Sequence, residues 1–260
     1  MRGVLLDLDG VVYVGDSAVP GAADVIDWLT QEDIPFRFLT NTSSRPRASI
    51  VEKLSGMGIP ASDDDILTPA VAAKSWLKEH SPGRPALFVP EATASELAEL
   101  DPLPDDVEEG AGAVVVGDLG EAWDFSTFNR AFRLLMAEPR PALVALGMTR
   151  YWKADDGLRL DAGAFVRALE YAAGTTAVVM GKPDQAFYQA AIEGLGLAAG
   201  GVVMVGDDIR SDVEGAQRAG LTGVLVRTGK FAPADLDGNV SPDAVLDSIA
   251  DLPDWWTSAG

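Results

Sequence analysis

Short apolar runs alternate with amphipathic stretches along most of this chain. Apolar runs bounded by glycine, proline or polar clusters are typical of buried strands, and apolar residues three or four apart indicate helices that pack on a sheet. Their regular alternation predicts an α/β fold with a parallel sheet and helical crossovers. The predicted elements are strands 4–6 and 36–39 with helices 22–30, 46–54 and 69–77; strands 86–89, 113–116 and 143–146 with helices 94–100, 127–136 and 164–172; and strands 177–180, 202–205 and 223–226 with helices 185–193 and 212–219.

The middle part of the chain restarts this alternation, and turn-forming residues flank it at Pro82-Gly83 and at Gly174. Glycine and proline at such positions mark a domain boundary. We therefore predict a Rossmann-like core formed by residues 1–80 and 175–260, into which residues 81–174 are inserted as a smaller α/β domain. The 260 residues suffice for both domains, and a hydrophobic content of 47% provides a substantial buried core.

The composition is strongly acidic, with 40 acidic and 20 basic residues and a formal net charge of −20. Such a charge repels nucleic acids and anionic membranes, so neither is expected as a partner. Two interpretations of the acidity stay open. The chain is either an ordinary acidic protein or one adapted to high salt, where carboxylates retain their hydration and dissolved ions screen their repulsion.

The N-terminal segment and the lack of cysteine narrow the cellular setting. The first apolar run is interrupted at Asp7, unlike a signal peptide, and no apolar run approaches the ~20 residues that span a bilayer. The chain contains no cysteine, which excludes disulfides, thiolate metal sites and cysteine nucleophiles. We therefore expect a soluble, cytoplasmic protein.

Polar clusters directly follow four of the predicted strands. In an open parallel sheet, ligands bind beyond the carboxyl ends of the strands. Because each cluster stands at the same end of its strand, we expect the side chains to meet. The clusters are Asp7-Leu8-Asp9-Gly10, Thr40-Asn41-Thr42, Gly181-Lys182-Pro183 and Gly206-Asp207-Asp208 with Asp212.

The first cluster points two carboxylates toward one side of an extended chain, because Asp7 and Asp9 are two residues apart. Carboxylates this close repel each other, and either a divalent cation or a shared proton relieves the repulsion. Gly10 allows the chain to turn past a phosphate without a Cβ in the way. This cluster therefore favours phosphate chemistry.

The other clusters supply the remaining groups that such a site needs. Asp207 offers a further hard oxygen ligand of the kind that Mg²⁺ prefers, and Asp208 and Asp212 are predicted to orient metal-bound waters. Lys182 provides a positive charge for the phosphoryl oxygens. Hydrogen-bond donors to the phosphate are predicted from Thr40, Asn41 and Thr42.

These groups predict a phosphatase with a covalent intermediate. Asp7 attacks phosphorus in line while Asp9 gives a proton to the leaving oxygen, and water then hydrolyses the aspartyl-phosphate with Asp9 as the base. Mg²⁺ and Lys182 offset the negative charge. A Ser-His-Asp triad is not expected, because the only histidine, His80, lies in a polar stretch.

The clusters resemble the signature motifs of the haloacid dehalogenase (HAD) superfamily of phosphohydrolases. Its D-x-D-G, threonine or serine, lysine and G-D-D-x-x-x-D motifs correspond here to VLLDLDGVVY, RFLTNTS, VMGKP and VMVGDDIRSD. The inserted domain resembles the α/β (C2-type) cap of subclass IIA, which includes the NagD-type nucleotide phosphatases. The stretches FNRAFRLLM, LGMTRYWKADDGLRLDAGAFVRALEYA and VRTGKF resemble the branch that contains phospholysine phosphohistidine inorganic pyrophosphate phosphatase.

The resemblance implies a role for individual residues. Asp7 and Asp207 are implied as side-chain ligands of Mg²⁺, and Asp9 as a ligand through its backbone carbonyl. Members of the most similar branch can carry serine at the position of Asp9, whereas this chain has the acid, which favours an ordinary two-carboxylate phosphatase. A cap limits substrate size, so small phosphorylated metabolites are expected. Contacts with the phosphate are implied for Thr40, Asn41 and Lys182.

Two alternatives to a phosphatase remain at this point. A phosphotransferase or mutase would use the same groups and differ only in the acceptor of the phosphoryl group. A non-catalytic regulatory module would merely hold an aspartyl-phosphate, although receiver domains of that kind are about half this length and lack a cap.

Members of the subclass commonly pair through their caps, so a homodimer is one expected state. Three cap residues either face the substrate or pack in the cap core or a dimer surface: Tyr151, Trp152 and Lys153.

Overall fold

The computed structural model of the chain describes residues 1–43, 45–154 and 157–259, with the backbone alone at 152–154. The side chains of Trp152 and Lys153 therefore lie outside the described part. The described residues form two compact units. The first comprises Met1–Thr40, Arg47–Leu67 and Lys182–Gly260, and the second comprises Asn41–Pro46 and Thr68–Gly181. The predicted limits of an inserted domain, residues 81 and 174, remain a prediction.

The strands are short and lie in both units. In chain order they are β1 (Gly3–Asp7), β2 (Tyr13–Val14), β3 (Ser17–Ala18), β4 (Phe36–Leu39), β5 (Ile66–Leu67), β6 (Pro85–Phe88), β7 (Ala113–Val116), β8 (Ala142–Ala145), β9 (Tyr151–Ala154), β10 (Gly157–Leu160), β11 (Val178–Val179), β12 (Val202–Gly206), β13 (Thr222–Val226) and β14 (Ala244–Leu246).

The α-helices alternate with these strands. They are α1 (Ala22–Gln31), α2 (Arg47–Gly56), α3 (Pro69–His80), α4 (Glu91–Glu96), α5 (Phe125–Leu135), α6 (Ala162–Ala173), α7 (Gln185–Leu195), α8 (Gly215–Arg218) and α9 (Leu252–Ala259). A π-helical turn, Ile209–Glu214, leads directly into α8.

The first unit is built on a six-stranded parallel sheet with the order β14-β13-β12-β1-β4-β5. All five residues of β1 are buried, as expected for a central strand that is covered on both faces. On one face Val4 and Leu6 pack with apolar residues of α1 and α2 in a single core cluster. The predicted α/β fold with a parallel sheet is confirmed.

Helix α1 shows why the predicted periodicity was reliable. Its buried residues Val25, Ile26 and Leu29 recur at the three- and four-residue spacing of a helix face, and Gly21 begins the helix with φ 83°. This face joins the core cluster of the first sheet, where Trp28 also contacts Trp256 of α9 edge to face with 6.2 Å between ring centres.

The second unit has its own four-stranded parallel sheet with the order β11-β8-β7-β6. Its core combines Val114, Val116 and Leu143 with the buried faces of α5 and α6. One prediction was wrong here. The strand that precedes Lys182, β11, pairs with β8 of this sheet, whereas the sequence pattern placed it in the sheet that contains β1.

Further differences from the predicted elements have local causes. The helix predicted at 94–100 begins earlier, at Glu91 directly after Pro90, and its last part is the 3-10 turn Ala98–Leu100. The helix predicted at 212–219 begins as the π-helical turn, whose first backbone amides are capped by Asp208. Several short strands were not predicted from the sequence: β2, β3, β5, β9, β10 and β14.

Among the described residues, no helix combines the length and apolar character that crossing a bilayer requires.

Leu29→Ala tests the packing of α1 on the first sheet. Leu29 is fully buried, so removal of its side chain is expected to lower the free energy of unfolding by about 2–5 kcal/mol. Chemical denaturation followed by circular dichroism measures the change. Asp27→Ala, at an exposed position of the same helix, is the control and should change stability by no more than about 0.5 kcal/mol. Equal stability of the two variants would contradict this packing.

Candidate active site

Asp7 lies at the carboxyl end of the central strand of the first unit, with strands on both sides. It is only 6% exposed. Its Oδ1 accepts a hydrogen bond from the backbone amide of Leu8 at 2.8 Å and lies 2.7 Å from Nζ of Lys182. The apolar residues of the strand thus carry a carboxylate into a largely buried position, where two donors fix one of its oxygens.

Asp207 directly follows the neighbouring strand β12 and is 1% exposed. Its Oδ2 accepts a hydrogen bond from the backbone amide of Lys230 at 2.7 Å. Within the described part of the chain, Oδ1 of Asp207 is buried and has no hydrogen-bond partner. A buried carboxylate oxygen without a partner is costly unless an ion or a polar ligand engages it.

Two glycines enclose this carboxylate. A Cβ built on Gly10 would lie 1.9 Å from Oδ2 of Asp207, and one built on Gly229 would lie 2.1 Å from the same atom. Both glycines also have positive φ angles, 88° and 65°, which side-chain-bearing residues rarely adopt. The close approach of these backbone segments to Asp207 therefore depends on glycine at both positions.

Asp212 lies in the π-helical turn and is completely buried. Its Oδ1 lies 2.8 Å from Nζ of Lys182, and its Oδ2 accepts a hydrogen bond from the backbone amide of Asp208 at 3.1 Å. Lys182 thus stands between Asp7 and Asp212. The sequence predicted that Asp212 orients metal-bound waters, and the structure adds an ion pair with Lys182 to that picture.

The pKa values of Asp7, Lys182, Asp207 and Asp212 are all raised above their ordinary values. Burial raises the pKa of Asp7 above its ordinary value, and the adjacent Lys182 offsets part of that shift. Burial likewise raises the pKa of Asp207, which the amide of Lys230 partly offsets, and raises the pKa of Asp212 to about 6. Burial alone would lower the pKa of Lys182, but the two neighbouring carboxylates outweigh it, and this pKa lies above its usual value.

The three acids fit a divalent cation. Carboxylate oxygens of Asp7, Asp207 and Asp212 all lie within 4.8 Å of one another, and all three residues are buried. If the acids are ionised and Lys182 is protonated, the group carries a formal charge of −2, which a divalent cation neutralises. Carboxylate oxygens are hard ligands that suit a hard divalent cation such as Mg²⁺, and Oδ1 of Asp207 is buried without a hydrogen-bond partner among the described residues.

The remaining predicted residues lie in different surroundings. Asp9 is exposed, with the hydroxyl of Tyr13 3.4 Å from its Oδ2. Thr40 is 3% exposed and directly follows Leu39, which pairs with Asp7 across β1 and β4. The Oδ1 of Asp208 accepts hydrogen bonds from the amides of the following turn, at residues 210 and 211, each at 2.9 Å. The second compact unit, not the first, contains Asn41 and Thr42.

Sequence reasoning missed two contributors to this cluster. The turn Thr228-Gly229-Lys230 follows β13 and contacts both Asp207 and Gly10, and its polar and glycine residues at a strand end were a usable signal. The second is Tyr188, which is fully buried and whose hydroxyl lies 2.7 Å from the carbonyl oxygen of Ser211 and 3.1 Å from that of Asp212. Tyr188 is a buried member of helix α7, so nothing in the pattern distinguishes it from an ordinary core residue.

Comparison with known proteins shows the family. A profile described as haloacid dehalogenase-like hydrolase matches residues 4–101, and a related HAD-hydrolase-like profile matches residues 179–252. Phospholysine phosphohistidine inorganic pyrophosphate phosphatase of Homo sapiens is 39% identical over 259 residues, which cover 98% of this chain and 93% of that protein.

Solved structures agree with this likeness. A 4-nitrophenylphosphatase from Thermotoga maritima superposes with a TM-score of 0.84 at 27% identity, covering 98% of this chain and 97% of its own. NagD from E. coli K-12 superposes with a TM-score of 0.85 over 96% of this chain and 98% of its own, and at 23% identity it supports the fold alone. The family predicted from the four clusters is thereby confirmed: the chain belongs to the haloacid dehalogenase-like hydrolases and is a phosphatase.

Proposed function

We propose that this chain is a Mg²⁺-dependent phosphohydrolase in which Asp7 is the nucleophile and an aspartyl-phosphate is the intermediate. The observation that carries the proposal is the buried group formed by Asp7, Lys182, Asp207 and Asp212 at the end of the central strands. When bound among these acids, Mg²⁺ supplies positive charge that allows a carboxylate to approach a phosphate.

The contacts of Asp7 favour it as the nucleophile. Both the amide of Leu8 and the ammonium of Lys182 engage Oδ1, which leaves Oδ2 as the oxygen that we assign to the attack on phosphorus. A bond then forms between Oδ2 and phosphorus while the bond from phosphorus to the leaving oxygen breaks. Lys182 offsets negative charge on the phosphoryl oxygens, and Asp212 holds Lys182 in position for this role.

Asp9 is assigned to proton transfer. Its carboxyl group is exposed and two residues beyond Asp7, so it can reach the leaving oxygen of a substrate that occupies the site. Asp9 gives its proton to that oxygen in the first step. In the second step it accepts a proton from the water that attacks the aspartyl-phosphate, which releases inorganic phosphate and restores Asp7.

We assign phosphate binding to Thr40, Asn41 and Thr42. The backbone carbonyl of Asp9 is assigned to cation binding. The carboxylate of Asp208 is assigned to the orientation of water around the cation. The position of Thr40 supports its assignment, because Thr40 is buried and directly follows Leu39, which pairs with Asp7 in the sheet.

Small phosphorylated metabolites are the proposed substrates. Relatives named for pyrophosphate and 4-nitrophenyl phosphate support this size class and favour water over a substrate hydroxyl as the acceptor.

A homodimer that forms through the second unit is part of the proposal. The antiparallel pair of strands β9 and β10 exposes Tyr151, Leu158 and Leu160 by 49%, 71% and 62%. Tyr151 stands opposite Leu160 in this pair. Large apolar side chains that are exposed together favour a contact with another protein surface.

Asp7→Asn tests the nucleophile directly. The amide keeps the shape of the side chain but cannot form the acyl-phosphate, so turnover of para-nitrophenyl phosphate with Mg²⁺ should fall by about 10³-fold or more. Release of inorganic phosphate is measured together with any phosphorylated acceptor. The matched control is Asp27→Asn, at an exposed position of the same unit, which should retain full activity. Undiminished turnover in folded Asp7→Asn would refute the mechanism.

Asp9→Asn tests the proton-transfer role. Nitrophenolate leaves without a proton, so the first step should persist with para-nitrophenyl phosphate while hydrolysis of the intermediate slows. A burst of about one nitrophenolate per enzyme is expected, and the acid-quenched protein should carry a phosphoryl group by mass spectrometry. An alkyl phosphate, whose leaving oxygen needs the proton, should give no burst. Equal loss of both steps with both substrates would contradict this role.

Lys182→Met tests the buried ion pairs. Two acids then remain buried without their cation, so the free energy of unfolding should fall by about 3–5 kcal/mol at neutral pH in metal-free protein. Lys78→Met, which removes an ion pair between the exposed side chains of Lys78 and Glu99, is the control and should cost less than about 1 kcal/mol.

The loss in Lys182→Met should also depend on pH. The pKa of Asp212 is already raised from 3.8 to about 6 in the native protein, and loss of Lys182 raises it further. Above pH 3.8 the folded variant therefore binds a proton that the unfolded chain has released, so its stability falls as the pH rises. Denaturation between about pH 4 and pH 8 should show the penalty growing through and beyond about pH 6; a constant penalty would contradict the assignment.

A further inference from the structure

We propose that the turn Thr228-Gly229-Lys230 is a positioning element for the cation site: it fixes Asp207 so that only Oδ1 faces the ion. The inference rests on the proposed function, because it takes Asp207 as a ligand of Mg²⁺. None of the three residues is assigned a contact with substrate or cation. They act through Asp207 and through the segment that contains Gly10.

The first step of the argument concerns the two oxygens of Asp207. The backbone amide of Lys230 donates to Oδ2 at 2.7 Å, which occupies that oxygen and sets the orientation of the carboxylate. Oδ1 is buried and has no hydrogen-bond partner among the residues that the structure describes. Mg²⁺ demands near-ideal octahedral geometry, and a single oriented oxygen from each acid satisfies it better than a freely rotating carboxylate.

The second step concerns the space around Oδ2. The Cβ that any other residue would add at Gly229 falls 2.1 Å from Oδ2 of Asp207 and 2.5 Å from Cα of Gly10. Real Cβ atoms do not approach other atoms so closely, so the carboxylate or the turn would have to move. The backbone of the turn thus restricts the space around Oδ2 and prevents the carboxylate of Asp207 from rotating away from the cation.

The third step concerns the connection between the turn and the nucleophile segment. The hydroxyl of Thr228 donates to the carbonyl oxygen of Gly10 at 2.5 Å, which joins parts of the chain that are 218 residues apart. Gly10 directly follows Asp9 and is three residues beyond Asp7, so this hydrogen bond connects the turn beside Asp207 to the segment that contains both acids. Loss of this hydrogen bond should make the orientation of the Asp207 carboxylate less fixed without removing any ligand of the cation.

The side chain of Lys230 is not needed for this role. Its side chain is 66% exposed and its ammonium group lies 3.8 Å from Oδ2 of Asp208, whereas its backbone amide makes the contact with Asp207. Lys230→Ala keeps the amide and removes the ammonium group, and therefore separates the two contributions.

The test is calorimetric titration of Mg²⁺ alone into the 260-residue chain and its variants. Thr228→Val keeps the shape of the side chain and removes the hydroxyl, and it should weaken Mg²⁺ binding about tenfold, as loss of support for a ligand commonly does. Thr228→Ser and Lys230→Ala should bind within about twofold of the native chain. Thr30→Val, which removes a threonine hydroxyl bond to the carbonyl of Ile26 in the same unit, controls for a general loss of stability and should also bind normally.

Gly229→Ala is the more severe variant. It should lose measurable Mg²⁺ binding while its far-ultraviolet circular dichroism stays native, and native affinity in a folded Gly229→Ala protein would overturn the inference. Native affinity in Thr228→Val would also overturn it, as would a loss in Lys230→Ala as large as that in Thr228→Val. In these cases the native chain still binds Mg²⁺ and the proposed function stands. If the native chain itself binds no Mg²⁺, the inference and the Mg²⁺ dependence of the proposed function both fail.

Discussion

The contact of one buried ammonium with two buried carboxylates is the constraint on which the polar edge of the first sheet depends. Taking Asp7 and Asp212 out of water costs several kcal/mol for each charge, and Lys182 compensates both at 2.7 and 2.8 Å. The same contact serves reactivity. Burial alone favours a protonated Asp7, whereas the nucleophilic role that we propose for it needs the ionised form, and Lys182 moves the balance toward that form.

Environment, rather than residue type, separates the roles of the two acids in the segment after β12. Oδ1 of Asp212 lies 2.8 Å from the ammonium group of Lys182, and Oδ2 accepts a hydrogen bond from the amide of Asp208, so a positively charged or polarised group lies against each oxygen. Asp207, five residues earlier, receives one amide on Oδ2 and keeps Oδ1 without a partner in the described structure. Neighbouring titratable groups with such different surroundings are the usual sign of divided functions in an active site. One acid organises the lysine, and the other is left for a ligand.

The sequence predicted the α/β fold, the family and the four clusters because each depends on local patterns. Asp7 and Asp207 meet because they end neighbouring strands of one parallel sheet, as the sequence predicted. Lys182 joins them although its preceding strand belongs to the other sheet, and Asp212 joins them from the turn after β12. Pairing of strands is not a local property, so β11 was assigned to the wrong sheet: Val178 and Val179 are equally suited to either. The ion pair of Asp212 could not be foreseen either, since the π-helical turn that orients it differs from the regular helix that its spacing predicts.

Contacts made by the backbone were the least predictable. Residues 228–230 approach Asp207 through an amide and a glycine Cα, and a sequence does not reveal where an amide points. The contact of Tyr188 was equally hard to predict, because its hydroxyl donates to main-chain carbonyl oxygens of the turn that contains Asp212. Main-chain acceptors leave no recognisable pattern in the sequence. The glycine and polar residues after β13 were nevertheless visible as another polar strand end, and the rule that identified the four clusters extends to it.

The central place of β1 has a consequence for synthesis of the protein. Its neighbours in the sheet are β4, which follows closely in the chain, and β12, which begins at Val202. At usual translation rates of about 5–20 residues per second, the ribosome needs roughly ten to forty seconds to add the intervening residues. During that interval the apolar edge of the first strand is open, and its terminal aspartate has not yet met the lysine at position 182. The nascent chain therefore carries a buried strand with one unpaired edge for most of its synthesis, and such an edge is where incorrect strand pairing is favoured.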